Sequence, residues 1–180
     1  REAIAKVLKT DSFWGVRVEA AKAIGKLAGN ISRKALLAGL TQPDAKVRKA
    51  CVDGLGSFKG NEEVISALKA KSEKGDESYN VEAATVTALV KVLKVTPVAL
   101  LQKALGKPSH REAIRLAALR GLGKSDDLKI LKRLVEWTQR GKPRTCRHEA
   151  IRQVAAVINR AKPAAKITDP IVDRFVDMFD

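Results

Sequence analysis

The sequence predicts an all-α fold, a right-handed α-solenoid of stacked antiparallel helix pairs, and three observations predict it. A short apolar phrase recurs at a near-constant spacing along the chain. The composition suits closely packed helices, with apolar residues at 45% of the 180 and aromatics at only 4%, much of the apolar content being Ala, Leu, Val and Ile. No stretch alternates apolar and polar residues for long enough to compete as a strand.

The phrase first reads Val16-Arg17 followed by Ala20, Ala23, Ile24 and Gly25. Small or apolar residues at +4, +7 and +8 from the Val share one face of a helix. Copies begin at Val47-Arg48 (Cys51, Gly54, Leu55, Gly56), Val81 (Thr85, Ala88, Leu89), Ile114-Arg115 (Ala118, Gly121, Leu122, Gly123) and, more loosely, Ile151-Arg152 (Ala155, Ile158). The anchors are 31, 34, 33 and 37 residues apart. A period in that range, with two helical patterns per period, marks α-solenoids, whose units bury their apolar stripes only against their neighbours. The small residues let neighbouring helices approach, and the Gly at +9 in three copies reads as a permissive helix end.

Between anchors a second, shorter helix is predicted over 31–40, 62–71, 98–105 and 128–140. Asp11, Pro43-Asp44, Gly75-Asp76, Lys107-Pro108-Ser109 and Gly141-Lys142-Pro143 supply the breaks and N-caps. The chain thus divides into five helix pairs and the opening helix of a sixth from about Asp169, with approximate units 1–29, 30–59, 60–95, 96–125, 126–165 and 166–180. It starts on Arg1 rather than Met and stops inside the last unit, so it reads as part of a longer protein. No stretch approaches the roughly 20 apolar residues of a membrane span. Cys51 and Cys146 fall in different units and read as small packing residues, with a reducing, cytoplasmic setting as the default.

Charge is uneven. The net +15 is concentrated in residues 91–166, which hold 19 basic and 5 acidic residues. That segment invites an acidic partner: RNA, DNA, an anionic membrane surface or an acidic protein face.

Two motifs resemble chemistry without completing it. His148-Glu149-Ala150-Ile151-Arg152 begins like a zinc-protease signature, but the second imidazole is replaced by Arg152 and His110 belongs to another unit; no metal site is expected. Gly121-Leu122-Gly123-Lys124-Ser125 resembles the end of a phosphate-binding loop, yet the required first Gly is Ala118 and no strand precedes it, so Gly123 reads as a helix cap and no cofactor is expected. Asp126-Asp127 reads as an N-cap pair, and Trp14, Phe13 and Trp137 as large core anchors.

Two sets of side chains remain as candidates. Arg17, Arg48 and Arg115 follow their anchors directly and are expected to form a structural ladder with turn acids. Asp11 stands six residues before Arg17, and Asp76 six before Glu82, so the ladder breaks at the third unit. Arg140, Lys142, Arg144 and Arg147, extended by Arg152 and Arg160 on the next helix, crowd like charge around a turn and are the candidate partner-binding residues.

The stretch from Asp11 to Gly25 (DSFWGVRVEAAKAIG), then Ser78-Tyr79-Asn80-Val81, then Glu136 to Arg144 (EWTQRGKPR) resemble the C-terminal HEAT-like region of aminopeptidase-N-like (gluzincin) metallopeptidases. They also resemble the related subunit of the TATA-binding complex, which contacts promoter DNA. The resemblance implies a HEAT-like (armadillo-type) fold and a non-catalytic tail that packs against its parent catalytic domain or docks a protein partner. The zinc ligands and catalytic glutamate of that family lie upstream, and none of those positions can be matched here. The expected function is therefore a helical-repeat scaffold or protein-interaction domain and not an enzyme, with nucleic-acid binding through residues 91–166 as the alternative.

Overall fold

Helices begin where the sequence offers caps. Asp44 Oδ1 accepts from the Lys46 amide at 2.8 Å and Asn61 Oδ1 from Val64 at 3.1 Å, each satisfying an amide that the first helical turn leaves unpaired, while Asp127 Oδ1 accepts from Lys129 at 3.0 Å in the turn just before a helix. The computed structural model describes residues 1–27 and 29–176, and among these there is no strand. Position 28 and the end of the last expected unit, 177–180, lie outside the described residues.

The helices fall into two units, Arg1–Pro97 and Val98–Asp180. In the first, α1 (Glu2–Thr10) pairs with α2 (Trp14–Gly25), α3 (Asn30–Ala38) with α4 (Ala45–Leu55), and α5 (Glu62–Lys74) with α6 (Tyr79–Val92). The second helices stack in chain order, α2 on α4 and α4 on α6. Their shared core is the stripe that the repeated phrase encodes: Ala20, Ile24, Val47, Cys51, Leu55, Val81 and Leu89 are all buried, with Leu36, Val64 and Leu68 reaching in from the partner helices. The expected all-α class of stacked helix pairs is the observed one.

In the second unit α7 (Val98–Leu105) pairs with α8 (Ala113–Leu122), α9 (Ile130–Glu136) pairs with α10 (Arg144–Ala161), and α8 stacks on α10. α11 (Ala165–Val176) follows, beginning before the expected Asp169 and holding Pro170 inside it. α9 stops at Glu136 rather than 140. The Trp137 amide bonds to Leu134 O and that of Thr138 to Val135 O, three residues back, which tightens the chain out of the α-helical ladder and leaves Arg140 in the turn.

Two expectations about packing are corrected. The glycines at +9 are not left-handed caps: Gly56 and Gly123 have φ of −60° and −62°. What the glycines of the phrase provide is proximity, because a Cβ on Gly25 would stand 2.8 Å from Gly54 Cα on the neighbouring helix. α2 and α4 touch backbone to backbone there, which accounts for the extent of their contact.

The fifth copy of the phrase is out of register by one residue. α10 buries Ala150, Val154 and Val157, whereas Ala155 is exposed and Ile151 and Ile158 are half-buried. The anchor is Ala150, and one residue rotates a helix by about 100°. Arg152 is therefore turned out of the place that Arg17, Arg48 and Arg115 occupy in their own helices.

Candidate functional site

The chemistry-bearing side chains divide into those held by other residues of the chain and those left free. Arg48, in the first turn of α4, donates Nε and Nη2 to the two Asp76 carboxylate oxygens at 2.9 and 2.8 Å, and Nη1 to Gln42 O and Pro43 O. Lys71 Nζ approaches the same carboxylate at 2.6 Å, and the Ser78 amide donates to it at 2.9 Å. The Asp76 side chain is 3% exposed. Burial alone raises its pKa, but the bonds from Arg48, Lys71 and Ser78 outweigh that and hold it well below the usual carboxylate range.

Of the expected ladder, the Arg48 rung joins two successive helix pairs rather than lying within one. Arg48 reaches an acid 28 residues ahead, in the turn of the following pair. Asp11, expected to serve Arg17, instead accepts from the Phe13 amide at 2.9 Å. Arg17 Nε is buried and meets no acceptor among the described residues. Asp76 accepts from the Ser78 amide of its own turn just as Asp11 accepts from Phe13, so engagement in a local turn does not by itself decide which acid receives an Arg. At the third unit Glu82 accepts from the Asp76 amide at 3.1 Å. In the second unit Arg115 donates to Leu105 O and to Glu112, and its guanidinium lies 5.6 Å from the Trp137 ring.

The tryptophans are rim residues rather than the core anchors expected of them. Both are half-buried, and each is covered by a cation: Lys46 Nζ is 3.8 Å from the Trp14 ring centroid and Lys142 Nζ 4.7 Å from that of Trp137. Phe13 is 57% exposed and leans on Trp14. A Lys or Arg over an indole face is attracted by the ring quadrupole, so neither indole offers a bare face on that side.

Sequence reasoning missed Glu149. It is 5% exposed, accepts from Arg120 at 3.0 Å and from Gln153 at 2.8 Å, and is held below its ordinary pKa because these bonds outweigh the opposing effect of burial. Its adjacency to His148, which is exposed, directed attention to a metal motif instead. Among the described residues no group of three or more His, Cys, Asp or Glu could hold a metal ion. Cys51 and Cys146 are free and buried, with burial pushing their thiols up to about 12 and about 11; thiols so protonated are poor nucleophiles at neutral pH.

The open face of α2 and α4 carries a shallow groove of about 420 Å³ over Gly25, Ala50 and Gly54. Its rim is basic and, Lys26 apart, engaged. Lys22 bonds Glu19 at 2.7 Å, Lys49 bonds Asp53 at 2.6 Å, and Lys46 covers Trp14.

The turn between α9 and α10 differs in that its cations form no ion pair among the described residues, although Lys142 covers Trp137. Arg140, Lys142 and Arg144 are exposed and Arg147 is half-buried. Gly141 has φ of +93°, with open space around it, so the chain reverses there in a conformation that L side chains rarely adopt. All five acids of residues 98–166 are engaged elsewhere: Glu112 with Arg115, Asp126 with Arg160, Asp127 on the Lys129 amide, Glu136 with Arg133, and Glu149 with Arg120. None of the four cations of the turn has an ion pair among the described residues, and Arg147 Nε is buried without an acceptor. Arg152 is 74% exposed and only grazes Glu149 at 3.9 Å. Arg160 does not extend the cluster; it donates to Gly123 O at 3.0 Å and Ser125 O at 2.6 Å, bracing the loop after α8.

Residues 1–75, which span α1 to α5, match the family of HEAT repeats. Together with the stacked helix pairs this makes the fold that of a HEAT-like helical-repeat protein. A search of curated proteins finds no match. No helix among the described residues is long and apolar enough to cross a membrane.

Proposed function

We propose that the chain is a non-catalytic scaffold, a helical-repeat module that docks a protein partner or the catalytic domain of a larger aminopeptidase-like parent. The observation that carries this reading is the division of charge. The acids whose titration is most perturbed, Asp76 and Glu149, are fixed by Arg48 and Arg120 in contacts between helix pairs, while Arg140, Lys142 and Arg144 stand exposed on a turn. Asp76 lines a polar pocket of about 530 Å³ with Arg48, Lys71 and Glu82, but both its carboxylate oxygens are taken up by Arg48 and Lys71, which leaves it poorly placed to act as a general acid or base there. The aminopeptidase-like parent rests on the resemblance of Asp11–Gly25, Ser78–Val81 and Glu136–Arg144. A default cytoplasmic location fits two reduced, buried cysteines.

The purified chain, supplied with zinc and aminoacyl arylamides, is expected to show no turnover. It is expected to bind polyglutamate, a stand-in for an acidic protein face, with an affinity that falls as salt rises. Zinc-dependent hydrolysis would overturn the reading. A second reading, in which the basic segment 91–166 meets a nucleic acid, is favoured by the same unpaired cations.

A further inference from the structure

We infer that the α9–α10 turn is a docking surface for the phosphodiester backbone of a nucleic-acid duplex, contacted through Arg140, Lys142, Arg144 and Arg147 without reading bases. This rests on the second reading above and deepens it. Four cations fall within eight residues, none has an ion pair among the described residues, and every acid of residues 98–166 is engaged by another group. Bringing phosphates to such a turn therefore requires no internal ion pair to break, unlike at Arg48 or Lys49.

Two features favour a phosphate backbone over an acidic protein. The exposed large apolar residues are Phe13, Val16, Ile31, Tyr79, Val95 and Val172, so among the described residues none lies on this turn or on α8, α9 or α10. Protein interfaces gather their energy around a desolvated apolar or aromatic centre, and here that centre is missing. Three of the four cations are arginines, whose planar donor fork matches phosphate oxygens in pairs. A single strand is disfavoured by Trp137. Single-strand sites stack bases on open aromatic faces, whereas this indole has Lys142 at 4.7 Å and Arg115 at 5.6 Å.

Anisotropy titrations of the whole chain with a mixed-sequence DNA duplex, the RNA duplex and the single strand of the same sequence test the inference, with polyglutamate as a fourth probe. Log affinity for the duplex is expected to fall with log salt at a slope of about −3.6 if four phosphates are neutralised, at roughly 0.9 each. The triple change Arg140→Gln, Lys142→Gln, Arg144→Gln affects exposed side chains. It is expected to reduce the slope to about −0.9 and weaken binding by nearly three orders of magnitude (~2.7 log units) at 0.1 M salt. Removing equal charge from the α2–α4 face by Lys22→Gln, Lys26→Gln and Lys49→Gln is expected to change affinity no more than about threefold, since those residues make no phosphate contact in this assignment. Equal binding of DNA and RNA duplexes supports backbone recognition. Preference for the single strand, or an unchanged slope in the first triple variant, overturns it. Binding of polyglutamate without the duplex overturns it too and leaves protein docking standing, whereas binding of neither probe removes both readings.

Discussion

Asp76 is the residue on which most of the first unit's charge converges. Arg48 and Lys71 both bond its carboxylate, and all three side chains are less than one fifth exposed. Removing one partner of a buried pair leaves the other charge uncompensated, so Asp76→Asn is expected to destabilise the first unit by about 3 kcal/mol, measured by urea unfolding. The pH dependence follows from the sign of the shift. A carboxyl whose folded pKa lies below its unfolded value stabilises fully above the unfolded value, about 3.9, and loses that contribution as pH falls further toward the folded one. Wild-type stability is thus expected to drop steeply below about pH 4, and the Asn variant to show a shallower acid limb. This pairing was not legible in the sequence. Asp11 and Arg17 suggest a local pair six residues apart, but Arg48 pairs instead with an acid 28 residues ahead. Only the stack brings residues 48 and 76 together.

At the scale of the helix, the repeated phrase was legible because small and apolar residues recur on one face, and the burial of Ala20, Cys51, Thr85 and Ala118 follows it. In α10 the phrase misleads. Ile151-Arg152 mimics the Val-Arg opening, yet Ala150, Val154 and Val157 are the buried set. The sequence there is apolar or small at 150, 151 and 154–158, so two adjacent faces both satisfy helical periodicity, and only packing against α8 and α9 chooses between them. A pair of substitutions separates the registers. Ala155→Lys is expected to alter stability by less than about 0.5 kcal/mol. Ala150→Lys puts an unpaired cation into a fully buried site and is expected to abolish the cooperative unfolding of the second unit, read by circular dichroism. The slip also explains the exposure of Arg152: a residue that would hold a neighbouring turn in register is left facing solvent.

Across the whole molecule, charge is sorted by use. Both units join successive helix pairs through an ion pair with a buried acid, Arg48–Asp76 in one and Arg120–Glu149 in the other. What composition conveyed was the excess, 19 basic against 5 acidic residues over 91–166. It could not say which cations are free, because that depends on which acids the fold brings within reach; Arg160 bracing Gly123 and Ser125 is indistinguishable by charge from Arg144. The fold sorts them, and among those it leaves without an ion pair are the three exposed cations of the turn after α9, Arg140, Lys142 and Arg144. The most direct measurement is amide hydrogen exchange of the chain with and without a saturating short DNA duplex. Protection confined to peptides covering 137–147 is the expected result. Protection centred instead on α2 and α4, or none at saturation, would contradict the assignment of the free charge to that turn.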